Sequence, residues 1–112
     1  MSGKNLSLSE FQKRVNSWIE KHGGYWPPLS MLAAIIEEIG EVSRELNHIE
    51  GYKPKKQKPE LNSNLGEELG DLLFTLICLA NSYNVDLGTE LTNVLQKYTN
   101  RDSKRFMNLD SD

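Results

Sequence analysis

Residues 34–42 read AIIEEIGEV, three carboxylates and a glycine set into an otherwise apolar run. Residues 65–74, LGEELGDLLF, repeat the arrangement. Read for period, each stretch belongs to a long helix. Around the first, Ile35, Ile39, Val42, Leu46 and Ile49 step by 4, 3, 4 and 3, a heptad seam. Around the second, Leu65, Leu69, Leu72, Leu76, Leu79 and Tyr83 step by 4, 3, 4, 3 and 4. The spacing predicts one helix from about Leu29 to Glu50 and another from Ser63 or Asn64 to about Tyr83. Between them, GYKPKKQKPELNSN (residues 51–64) carries two prolines and four lysines and reads as a loop.

Outward from this pair, a first helix is expected after a cap at Ser7 or Ser9, with Glu10 in its opening turn and Phe11, Val15, Trp18 and Ile19 inward. His22-Gly23-Gly24 would end it, and Pro27-Pro28 would open the next. Asn84-Val85-Asp86 turns into a fourth helix, from Leu87 to about Asn100, with Leu87, Leu91, Val94, Leu95 and Tyr98 inward. Residues 106–112 read as a frayed tail. The fold class is therefore all-α, with 1–112 as one domain. It is a four- or five-helix bundle built on two long antiparallel helices. Such a hairpin has too little partner surface of its own, so completion by oligomerisation is expected.

Composition narrows the function. Charged residues make up 26% and the net charge is −3, without the basic excess of a binder of polymeric nucleic acid. The N-terminus lacks an apolar signal core, and the run Leu72–Ala80 is too short for a membrane span. The lone Cys78 forms no intrachain disulfide and reads as a small core residue, consistent with a reducing, cytoplasmic location.

The acids carry the chemistry. On a helical wheel with Ile35 at 0°, Glu38 lies near ~−60° and Glu41 near ~−120°, while the seam spans roughly −40° to +60°. Relative to Leu69, Glu68 lies near ~−100° and Asp71 near ~−160°. Both pairs border their seams, whereas Glu37 and Glu67 turn towards solvent. Antiparallel packing would gather Glu38, Glu41, Glu68 and Asp71 into one cluster. Four like charges together call for a cation, and oxygen ligands without His or Cys select Mg²⁺, or Mn²⁺ in its place. Gly40 and Gly70 are tolerable inside helices if a neighbouring helix or a ligand approaches closely there. The plainer reading, surface acids on amphipathic helices, does not account for the doubled arrangement.

Glu38-Ile-Gly-Glu41, 26 intervening residues (42 to 67) and Glu68-Leu-Gly-Asp71 resemble the E-x-x-E…E-x-x-D signature of the MazG-like all-α nucleotide pyrophosphohydrolases. The resemblance extends through GYWPPLSMLAAIIEEIGEVSREL, EELGDLLFTLICLAN and a closing K-x-x-x-R, most of the chain. It implies hydrolysis of a nucleoside triphosphate to the monophosphate and pyrophosphate, with Mg²⁺ on Glu38, Glu41, Glu68 and Asp71. It also implies homodimers or homotetramers. Glu37 and Glu67 match the acids preceding each pair, so Glu37 or Glu41 would orient the attacking water.

Lys97 and Arg101, four residues apart, would suit a triphosphate, with Asn93 as a companion on that flank. Cations near a helix C-terminus also complement its dipole. Trp18 and Trp26 would stack on a base, although Trp18 equally suits a core. The loop lysines read as solvated. Glu45-x-x-His48 matches half of a di-iron motif, but no second histidine lies on the partner helix, and His48 reads as exposed. Two alternatives remain. One is a phosphoribosyl-ATP pyrophosphohydrolase, which shares the chemistry; the other is a non-enzymatic helical oligomerisation module.

Overall fold

The computed structural model describes residues 5–51 and 63–110, with the backbone alone for 63 and 103–110. Among these described residues four helices follow in order: α1 (Leu8–Lys21), α2 (Pro28–Ile49), α3 (Ser63–Ser82) and α4 (Leu87–Asp110). The lysines expected to form the 51–64 loop fall outside the described residues. The expected frayed stretch 106–112 falls on the end of α4, helical to Asp110, with 111 and 112 outside the described residues. No Gly or Pro follows Gly88, so nothing stops the helix at Asn100.

Each boundary has a local cause. Ser7, the nearer of the two candidate caps, accepts from the Glu10 N–H, and the Glu10 side chain accepts from the Ser7 N–H. At the other end of α1 the Gly24 N–H donates to the Ile19 carbonyl at 2.9 Å. Gly23 and Gly24 take φ of +107° and +88°, a left-handed reversal that glycine adopts without strain. Pro28 occupies the first turn of α2, where its missing N–H loses no bond. Asp86 opens α4 by accepting from the N–H groups of Gly88 (3.0 Å) and Thr89 (3.4 Å). Ser9 Oγ donates to the same carboxylate at 3.0 Å, tying the start of α1 to the start of α4.

The main interface is the α2–α3 hairpin, with α1 packed on α3 and on the start of α4. Met31 and Ala34 share a cavity wall with Thr75 and Cys78, and Glu38 stands by Asp71, so α2 and α3 run antiparallel. Met31, Ile35, Ile77, Cys78 and Ala80 form the buried apolar core. That core is thinner than the seams imply. Ile39, Leu46, Leu69, Leu76, Leu91, Leu95 and Tyr98, all expected inward, are exposed. The two-helix hairpin buries one flank of each seam and leaves the other facing out.

What fixes α1 is polar. Gln12, 7% exposed, replaces the expected Phe11 and Trp18 as its buried residue. Its Nε2 donates to Asn81 Oδ1 at 2.9 Å and the Val85 carbonyl at 2.8 Å, and its Oε1 accepts from the Leu87 N–H at 2.8 Å. Asn81 Nδ2 donates to the Gln12 carbonyl and to Tyr25 Oη, both at 3.0 Å, and Tyr25 Oη donates to Asn16 Oδ1 at 2.7 Å. One amide thus joins α1, the end of α3 and the α3–α4 turn. Replacing it by Ala leaves part-buried donors and acceptors without partners, so Gln12→Ala is expected to lower stability by about 1–3 kcal/mol, read from the urea midpoint. An unchanged midpoint would show that water replaces the side chain without loss.

Candidate active site

The antiparallel register brings the acids together one turn at a time. Glu38 feels the charge of Asp71, and Glu68 that of Glu41. One carboxylate oxygen from each of Glu38, Glu68 and Asp71 lies within 4.8 Å of the other two. Glu41, the fourth expected ligand, stands at the edge of this group with its carboxylate turned to Arg44, 3.3 Å away. Among the described residues no Lys or Arg pairs with the other three. Burial first, and then the neighbouring carboxylates, push the carboxyls of Glu38 and Glu68 above their ordinary value. Three converging oxygen ligands, short of positive charge, fit a hard divalent cation. Glu37 and Glu67 are exposed, as their wheel positions indicate.

A Cβ added at Gly40 or Gly70 would meet nothing within 4 Å. Among the described residues no neighbouring helix closes on either glycine, so of the two expected approaches only that of a ligand is left. The space over both stays open beside the acids.

The acids form one end of a cavity of about 490 Å³. Glu37, Glu38 and Asp71 border it, and aromatic rings form much of the rest, from Trp18, Tyr25, Trp26 and Phe74. The Trp18 indole stacks on His22, with centroids 4.0 Å apart at 22°, and meets Phe74 edge-on at 5.9 Å. Trp18 is 51% exposed and Trp26 66%, so neither is a core residue. Cys78 lies in the wall, buried as expected, and burial raises its thiol pKa, which suits packing and not nucleophilic attack.

Asn93, Lys97 and Arg101 do not line this cavity. They stand on α4, where Lys97 Nζ and the Arg101 guanidinium lie 5.2 Å and 4.7 Å from the centre of the Tyr98 ring. Arg101 also pairs with Asp102 at 2.9 Å. His48, expected to be exposed, is half-buried, with Nδ1 enclosed and unbonded. Sequence periodicity does not single out His22, Phe74 or Thr75 as cavity residues. For Phe74 and Thr75 the only signal is register, since they follow Asp71 by one turn of α3, and His22, at the cap of α1, has none.

Because Glu38 and Glu68 hold their protons more tightly when folded, their stabilising contribution is complete below the ordinary 4.5 and is lost as pH rises through the raised values. In EDTA near pH 7, Glu38→Gln is therefore expected to melt above the parent chain, with the gap closing as pH falls through the raised values towards the ordinary 4.5. Mg²⁺ should raise the parent's melting temperature more than the variant's. A thermal shift series with and without Mg²⁺ checks both, and a pH-independent gap would contradict this account.

The MazG nucleotide pyrophosphohydrolase domain matches residues 27–106, which include all four signature acids. The chain is 40% identical over 101 residues to the YpjD protein of Bacillus subtilis (strain 168), covering 89% of this chain and 90% of that one. It resembles the crystal structure of YPJD from Bacillus subtilis with a TM-score of 0.77, over 88% of this chain and 98% of that one. The crystal structure of the Bacillus-conserved MazG protein, a nucleotide pyrophosphohydrolase, matches with a TM-score of 0.73 and 38% identity, over 85% and 92% of the two chains. A match spanning the hairpin and its paired acids places the chain in the MazG nucleotide pyrophosphohydrolase family, hydrolases of phosphoric anhydride bonds.

Proposed function

We propose that the protein is an Mg²⁺-dependent nucleoside triphosphate pyrophosphohydrolase, releasing a (d)NMP and pyrophosphate from a (d)NTP, in the cytoplasm. The observation that carries the reading is the convergence of Glu38, Glu68 and Asp71 at the end of an aromatic cavity. These three, with Glu41 adjoining, would hold the cation. When bound, Mg²⁺ would neutralise charge on the phosphates and on the departing pyrophosphate. Glu37, exposed in the cavity wall next to Glu38, is the carboxylate best placed to orient the attacking water and accept its proton. Glu41 serves this role less well, because its oxygen is held by Arg44. The open space over Gly40 and Gly70 leaves room for phosphate oxygens beside the acids. Trp18 and Trp26 flank the base at the other end. Membership in a hydrolase family sets aside the purely non-catalytic helical module.

A second copy of the chain completes the fold in this reading. Leu91, Leu95 and Tyr98 present an uncovered heptad face on α4, and Leu69, Leu73 and Leu76 another on α3. Burying them against a homodimer or homotetramer partner removes that apolar area from water. Asn93, Lys97 and Arg101, remote from their own cavity wall, would reach phosphates from the α4 of a second copy.

Two measurements test this. Pyrophosphate release from dNTPs should require Mg²⁺ and fall by about 10²–10³-fold in Glu38→Gln and in Asp71→Asn, the scale on which a single charge-stabilising group acts. Full turnover in either variant would sink the assignment. In sedimentation equilibrium the chain should behave as a dimer or tetramer, and Leu95→Glu should shift it towards monomer. A monomeric parent at micromolar concentration would refute the assembly.

A further inference from the structure

His22 closes α1 and lines the cavity on the side away from the acids' own helices. Its Nδ1 lies 2.6 Å from the Trp18 carbonyl oxygen. A carbonyl can only accept, so the proton of the neutral imidazole sits on Nδ1, and Nε2 is left as an acceptor. The stack on the Trp18 indole, 4.0 Å between centroids, holds the plane of the ring.

Thr75, in the facing wall, is in the same state. Its hydroxyl donates to the Leu72 carbonyl at 2.8 Å, so the oxygen has only lone pairs left to offer. The third neutral polar group of the wall, the Tyr25 hydroxyl, is already committed to Asn16 and Asn81. Besides the indole N–H groups and the weakly polar thiol of Cys78, the cavity's neutral polar side chains therefore offer two acceptors, His22 of the α1 cap and Thr75 on α3. An exocyclic amine has two N–H bonds and can satisfy both. Uracil and hypoxanthine offer one ring N–H beside a carbonyl, so a second acceptor would face lone pairs.

We infer that His22, together with Thr75, selects the base, favouring nucleotides whose base carries an amino group at C4 (cytosine) or C6 (adenine) over the counterparts with an oxo group there. This rests on the nucleotide reading above but concerns only the base end of the cavity. Neutral nucleosides test it without metal or turnover. The two indole N–H resonances, from Trp18 and Trp26, are followed by NMR in EDTA during titration with deoxycytidine against deoxyuridine, and deoxyadenosine against deoxyinosine. The amino member of each pair should bind about three- to tenfold tighter, the range of one net hydrogen bond.

His22→Phe keeps a ring to stack on Trp18 but removes Nε2, and should bring the ratio close to one. Thr75→Val, nearly isosteric on α3, should reduce the ratio and decides the matter if His22→Phe does not fold. Equal binding within both pairs, no binding of any nucleoside, or a preference untouched by both variants overturns the inference. Loss of pyrophosphate release, by contrast, would count only against the reading of the acidic end.

Discussion

The mutual repulsion of carboxylates across the α2–α3 hairpin is the constraint around which the chain is arranged. The register that buries Met31, Ile35 and Ile77 is the same one that sets Glu38 by Asp71 and Glu41 by Glu68. Apolar burial drives the helices together, and the acids resist at one band along their length. Since burial of side chains stabilises by about 1.5–3 kcal/mol each, a few core residues suffice to hold the band closed. The raised proton affinities of Glu38 and Glu68 are the trace of that opposition.

A second arrangement, polar and fully bonded, serves the first. Gln12 and Asn81 lock α1 against the end of α3, which sets the Trp18 and His22 rings over the cavity that begins at Glu38. The acidic end of the site thus depends on the hairpin, and the aromatic end on a hydrogen-bond network in a different part of the chain. Asp86 supports the same corner, and its three kinds of donor, Ser9 first, lower its carboxyl below the usual range.

Much of this is legible in the amino-acid pattern. The 4-3 stepping of the seams marks α2 and α3 to within a residue or two, and the matched acid pairs point to a single cluster because spacing on a helix translates directly into direction. Residues without a periodic signature stay hidden. Gln12 sits in a helix where a polar residue reads as solvent-facing, and only its partners, 69 to 75 positions away, make it central. His22 reads as the end of a helix, and its orientation depends on a carbonyl, which no side-chain pattern reveals. Heptad spacing also marks apolar residues without saying which molecule covers them, so Leu91 and Leu95 on α4 read as core yet lie uncovered in one chain. Lys97 and Arg101 share that ambiguity.

The unfilled room over Gly40 and Gly70 has an evolutionary reading. Alanine would fit at either place, and a helix interior gains about 1 kcal/mol from the exchange. On helix propensity alone, alanine is the better residue at both places. Where the ligand needs that room, drift towards robustness is closed off at two positions, one on each strut of the hairpin.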